Sequence, residues 1–121
     1  MVAELRHTLK EFREHREKMN KRILESGNTQ IKQFFNLDWK AYKPGALSAK
    51  TKELLGLVAS TVLRCNDCIA YHVIRCAEEK VNDAEFFEAM TVALVVGGSI
   101  TIPHLRRAVE MWDECKGKTG A

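Results

Sequence analysis

Proline is nearly missing from this 121-residue sequence, with two residues, and glycine contributes only seven. So little of either excludes a collagen-like or low-complexity chain and leaves room for long, unbroken helices. Aromatic residues make up 7%, too few for a base-stacking surface. Charge of one sign is also scarce: nineteen Lys and Arg against sixteen Asp and Glu leave a formal +3. The signs are interspersed, so no nucleic-acid partner is expected.

Long apolar runs are absent as well. The most apolar stretches, 54–63 and 89–102, are broken by Ser, Thr or Gly and fall short of the roughly 20 residues that span a bilayer. From 1 to 20 a charge occurs every two or three residues, where a secretory leader needs continuous apolar chain. The sequence therefore reads as a cytoplasmic protein with no membrane contact. Its four cysteines, Cys65, Cys68, Cys76 and Cys115, are few for a disulfide scaffold. In a reducing compartment they point to redox chemistry, metal binding or burial. What is present, 45% hydrophobic and 29% charged residues, suits one globular domain over 1–121, small enough to gain stability by association.

Between Val2 and Ser26 the residues Leu5, Leu9, Phe12, Met19 and Ile23 recur at spacings of three and four, interrupted at Arg16. This spacing predicts a helix with a narrow apolar seam, ended by Gly27-Asn28. A second helix is expected from Thr29 to about Tyr42, with Ile31, Phe34, Phe35, Trp39 and Tyr42 on its apolar side and Pro44-Gly45 as its stop. Ser48 is a natural N-cap for a third, Ala49 to about Arg64, which is apolar on nearly all sides and so expected to be buried. A break at Cys65-Asn66-Asp67 opens a fourth helix to about Lys80. Asn82 with Glu85 forms a capping box for a fifth, stopped by Gly97-Gly98. Ser99 is the expected cap of a sixth, with Pro103 near its start and its end near 115–117. No segment alternates with period two. The expected class is all-α, an antiparallel bundle of about six helices.

The chemistry is concentrated in Cys65-Asn66-Asp67-Cys68-Ile69-Ala70-Tyr71-His72. At about 3.6 residues per turn, Cys65, Cys68 and His72 share one helix face, and Cys76 continues it. Two thiols at this spacing can close a disulfide, and a helix start favours thiolate over thiol. His72, one turn beyond Cys68, can accept or relay a proton. Glu53 stands in the middle of the largely apolar third helix. It sits at an edge or pairs with Lys or Arg, or else it faces the thiols and His72 as a proton acceptor.

Glu53, Cys65, Cys68 and His72 together reproduce the Glu-x11-Cys-x2-Cys-x3-His signature of the alkylhydroperoxidase AhpD-like proteins of the carboxymuconolactone decarboxylase superfamily. Gly45-Ala46-Leu47-Ser48, Lys52-Glu53-Leu54 and the Gly97-Gly98 break resemble that family too, and the likeness covers about 30–113. The resemblance implies a single AhpD-like domain with an N-terminal helical arm (1–28) and a family core (29–117). It further implies an oligomer, as a dimer, trimer or hexamer. In the family's redox branch the second cysteine attacks a peroxide, the first resolves the sulfenic acid into a disulfide, and Glu and His relay the proton. Carried over, Cys68 is peroxidatic, Cys65 resolving, and Glu53 with His72 the relay. No organic cofactor or metal is required; the implied partners are a peroxide or disulfide substrate and a dithiol reductant of lipoyl or thioredoxin-like type. Helix-end electrostatics favour Cys65 as the attacking thiol, whereas the nearness of histidine favours Cys68. Peroxidatic members can carry a histidine between the cysteines, where this chain has Asn66-Asp67. A carboxylate there opposes thiolate formation and shifts the expectation toward disulfide exchange.

Competing uses of these residues are weighed by geometry. Cys65, Cys68, His72 and Cys76 could supply four metal ligands, but eleven helical residues cover about 16 Å, while zinc ligands converge within about 2.0–2.3 Å of the ion. A site of Cys65, Cys68 and His72 completed by Glu53 is the remaining metal alternative, next to a structural or redox-sensing role and a lactone decarboxylase using Glu53 and His72. Cys76 and Cys115 are read as packing residues, His7, Glu11 and His15 as a solvated face, and His104 as a core or interface residue.

Overall fold

In the computed structural model, which describes residues 9–117, every regular element is helical. They fall into two compact units, divided between Pro44 and Gly45. The first holds α1 (Leu9–Leu24) and α2 (Thr29–Ala41). The expected start of α1, with Leu5 and His7, lies outside the described residues. Gly27, at φ +75°, takes the chain through the left-handed region after α1, a turn glycine makes without a Cβ penalty. Asn28 then caps α2, its Oδ1 accepting from the Ile31 N–H at 3.0 Å. No residue of α2 is buried, and Phe34, Leu37 and Trp39 are largely exposed.

The second unit comprises α3 (Ala49–Val62), α4 (Asn66–Glu78), α5 (Asp83–Gly97), a 3₁₀ turn (Ser99–Thr101) and α6 (Ile102–Cys115). α3 packs on both α4 and α5, and α4 packs on α6. Leu57, Ile69, Val73, Val81, Phe86, Ala93, Ala108 and Trp112 form its fully buried core. Trp112 stacks on Phe86 at 4.5 Å between centroids, and its indole N–H donates to Asp83 Oδ1 at 2.8 Å. The ring thus buries apolar area without orphaning its donor. Expected caps form as read: Ser48 Oγ accepts from the Thr51 N–H, and both halves of the Asn82–Glu85 box are made. Ser99 departs from expectation. It opens a 3₁₀ turn instead of capping the sixth helix, which starts at Ile102; the Thr101 hydroxyl donates to Gly98 O and holds that tighter turn.

The expectation that α3 is buried all round is corrected. Its buried residues are Glu53, Gly56, Leu57, Ser60 and Thr61, whereas Leu55 is 55% exposed. The side used against α4 and α5 is the small and polar one, with Thr61 satisfied by donating to Leu57 O at 2.8 Å. Leu54, Leu55, Val58 and Val62 instead line an open apolar groove of about 590 Å³ together with Val92 and Val96 of α5.

Candidate active site

The α3–α4 junction is two helix-ending bonds followed at once by a helix-starting one. The Cys65 N–H donates to Ser60 O and the Arg64 N–H to Thr61 O, with Arg64 left-handed at φ 59°. This is a Schellman closure of α3, unusual in using a non-glycine residue. Cys65, which ends that closure, is also the N-cap of α4: its Sγ accepts from the Cys68 N–H at 3.3 Å. The motif therefore stands on a helix start whose position is fixed by the end of the preceding helix. An amide donor aimed at sulfur, together with the positive end of the helix dipole, stabilises negative charge on Cys65.

Cys65 and Cys68 are joined as a disulfide, their Cα atoms 5.3 Å apart. Cys65 is half-buried and Cys68 exposed, so the second cysteine is the more open to solvent. One turn on, His72 is buried on α4 and Glu53, 1% exposed, faces it from α3. The His72 Nδ1–H donates to Glu53 Oε1 at 2.8 Å. A carboxylate oxygen only accepts here, so Nδ1 carries the hydrogen in this pair. Glu53 is thus buried rather than at an edge, and it meets both partners the sequence left open, His72 and an arginine, Arg75.

Three participants escaped the sequence reading. Arg75 donates from Nε to Glu53 Oε2 at 3.3 Å, and its other nitrogens reach Glu78 at 2.6 Å and Glu79 at 2.9 Å. Partial burial works against the guanidinium charge, but the bonds to Glu78 and Glu79 and the field of Glu53 outweigh it and hold its pKa above the ordinary value. Gly56 lies under the imidazole: a Cβ there would sit 2.6 Å from His72 Cε1. A glycine in mid-helix was the available signal. His104 of α6 is the third, its Nδ1 2.7 Å from Asn66 Oδ1 between the two cysteines.

Cys76 is free and buried. Burial, then the field of Glu53, push its thiol up to about 12, consistent with a packing role. Cys115 likewise forms no disulfide and is half-buried. Among the described residues no three His, Cys, Asp or Glu side chains are grouped to hold a metal ion, and no helix is long and apolar enough to cross a membrane.

Among solved structures, a Thermotoga maritima protein superimposes with a TM-score of 0.87 at 57% identity, over 89% of this chain and 95% of that one. A second structure of that protein (TM-score 0.81, 55% identity, 89% and 96% covered) is described as a carboxymuconolactone decarboxylase family protein and a candidate participant in the antioxidative response. A Legionella pneumophila protein of the same family, in its apo form, shares the fold at a TM-score of 0.82 and 22% identity, over 88% of this chain and 96% of that one. An uncharacterised Paracoccus denitrificans protein encoded in a cox locus is 29% identical over 84 residues, 69% of this chain and 76% of that protein. The sequence pattern of the carboxymuconolactone decarboxylase family matches residues 31–111, which is more than half the chain and contains every residue of the site. The chain belongs to the carboxymuconolactone decarboxylase family.

Proposed function

We propose that the chain is a thiol-disulfide oxidoreductase that reduces peroxides by cycling Cys65 and Cys68 between dithiol and disulfide. The observation that carries this reading is the Cys65–Cys68 bridge one helical turn from a His72 ring held by buried Glu53. Exposed Cys68 attacks a peroxide oxygen as thiolate. The O–O bond breaks, the alkoxide leaves as alcohol with a proton routed through His72, and Cys68 becomes a sulfenic acid. Cys65 Sγ, already the acceptor of an amide N–H, then attacks Cys68 Sγ, so that an S–S bond forms and water departs. A dithiol reductant returns two electrons by thiol-disulfide exchange. Asp67, exposed in the first turn of α4, opposes thiolate formation and so slows attack on peroxides; exchange with small disulfides, which uses the same thiolate, stands beside peroxide reduction as a reaction of the pair. The antioxidative description of the Thermotoga relative supports the same direction.

Thiol titration tests it. Peroxide should remove two thiols per chain, and a dithiol should restore them through repeated turnovers. Cys68→Ser should abolish peroxide consumption, while Cys65→Ser should allow one attack and trap a sulfenic acid. Full activity in both variants overturns the mechanism, and survival of a lactone-decarboxylating activity in Cys68→Ser would favour the reaction for which the family is named. Stoichiometric oxidation without turnover would make the pair a sensor instead.

The same reading places the protein in the cytoplasm, where dithiol reductants act, and as a homo-oligomer. The apolar groove of α3 and α5 and the exposed Val95 and Val96 form a surface a second copy would cover. Val92→Asp should yield a smaller species by light scattering; an unchanged monomer in both proteins would refute it.

A further inference from the structure

The Cys65–Cys68 bridge closes a covalent loop whose two interior residues are Asn66 and Asp67. Asn66 is the first residue of α4 and has one side-chain partner remote in sequence. The His104 Nδ1–H donates to its Oδ1 at 2.7 Å across thirty-eight positions, in a part-buried contact. Since the amide oxygen only accepts, the contact fixes the tautomer of His104 as well as the rotamer of Asn66. The loop is therefore held by α6 at the start of α4, just as α4 is held nearly two turns further on by the bond from His72 to Glu53 on α3.

We infer that His104 is a positioning residue for the redox turn: by anchoring Asn66 it holds the two sulfurs in the arrangement they occupy when bridged. This deepens the proposed thiol-disulfide activity and rests on it. In this role His104 acts through Asn66 and moves no proton in the reaction. Its effect is on the balance between two states of one pair. In the bridged state the backbone between the cysteines has one conformation, and the α6 anchor matches it. In the dithiol state the loop is released from its covalent closure and needs no such match. An interaction made more fully in the bridged state shifts the equilibrium toward disulfide by its own differential strength. For a neutral, part-buried hydrogen bond that is about fivefold.

The test is the equilibrium constant for disulfide formation, measured on the full chain in dithiothreitol redox buffers by trapping free thiols. His104→Ala should lower it about fivefold, and Asn66→Ala should lower it equally. The double variant should fall no further than either single one, since both remove the same bond. His104→Gln, which can donate an amide N–H to Asn66, should stay near the wild-type value; a fold requirement for histidine would not be met by that rescue. Unchanged constants in His104→Ala and Asn66→Ala, or additive losses in the double variant, overturn the inference. Should His104→Ala fail to fold, the Asn66→Ala constant decides alone, because that side chain lies at a helix start outside the core. A wild-type pair that never cycles in the buffers would sink the proposed function itself, whereas a cycling pair indifferent to these variants would sink only the role of His104.

Discussion

Glu53 Oε1 and His72 Nδ1 meet at 2.8 Å between α3 and α4, with the Glu53 side chain 1% exposed and the His72 side chain 9% exposed. A buried carboxylate is costly unless its oxygens are bonded, and here one oxygen is taken by His72 and the other by Arg75. The pair fixes which ring nitrogen can accept a proton. Glu53→Gln keeps an oxygen for the Nδ1–H but removes the charge that stabilises an imidazolium. Peroxide turnover should fall about 10²- to 10⁴-fold, the range for a lost acid-base function, with the helical circular dichroism retained. Turnover within twofold of wild type would remove Glu53 from the reaction.

Gly56 offers a test by sign. In the native protein a methyl group there would meet the His72 ring at 2.6 Å, so Gly56→Ala should destabilise by about 1–3 kcal/mol through overpacking and lower turnover by displacing the imidazole. With His72→Ala in place the obstruction is gone, and the same substitution should stabilise by about 1 kcal/mol from helix propensity. Urea denaturation of the four proteins reads this directly. An equal effect of Gly56→Ala in both backgrounds would contradict the geometry.

Local signals were legible where they were strong. The Ser48 and Asn82–Glu85 caps form as written in the sequence, and the spacing of Cys65, Cys68 and His72 predicted a shared helix, which α4 supplies with Cys65 at its N-cap. Glu53 drew attention because a carboxylate in an apolar run needs a partner, although spacing could not say that His72 and an arginine would each take one of its oxygens. What could not be read was which side of α3 faces inward. Its leucines and valines suggested burial all round, yet the chain turns Glu53, Gly56 and Thr61 inward and leaves Leu55 exposed. Periodicity reports that a face is apolar, not what covers it. The contacts of Arg75 with Glu53 and of His104 with Asn66 join residues twenty-two and thirty-eight positions apart, and a single sequence carries no trace of such tertiary pairings.

Arg75 is the second partner of the buried Glu53 carboxylate, and its side chain is itself 29% exposed. Removing it leaves Glu53 with His72 as its one described hydrogen-bond partner. The loss of a partner to a fully buried charge costs about 3–5 kcal/mol, and solvent access at Arg75 reduces this to about 1–2 kcal/mol. Arg75→Met, which preserves much of the aliphatic stem, should show that loss in chemical denaturation. Glu53→Gln combined with Arg75→Met should lose less than the sum of the two, because the charge needing compensation is gone. Strict additivity would show that Arg75 does not act through Glu53.

Cys76 makes a prediction about alkaline stability. Burial, then the field of Glu53, raise its pKa from 9.0 to about 12, so the folded chain keeps a proton that the unfolded chain releases above pH 9. The stabilisation is fully present below pH 9 and is lost as pH rises toward 12. One unit above the unfolded value the loss is about 1.4 kcal/mol. Lysines and tyrosines titrate over the same range, so the quantity to measure is the difference in unfolding free energy between the native chain and Cys76→Ala. Both contain those groups, and their contributions cancel. The variant starts less stable at pH 7 because it leaves a small cavity, and the gap should narrow by about 1.4 kcal/mol by pH 10. A gap that stays constant across that range would mean that Cys76 ionises in the folded protein as readily as in the unfolded one, which its burial on α4 forbids.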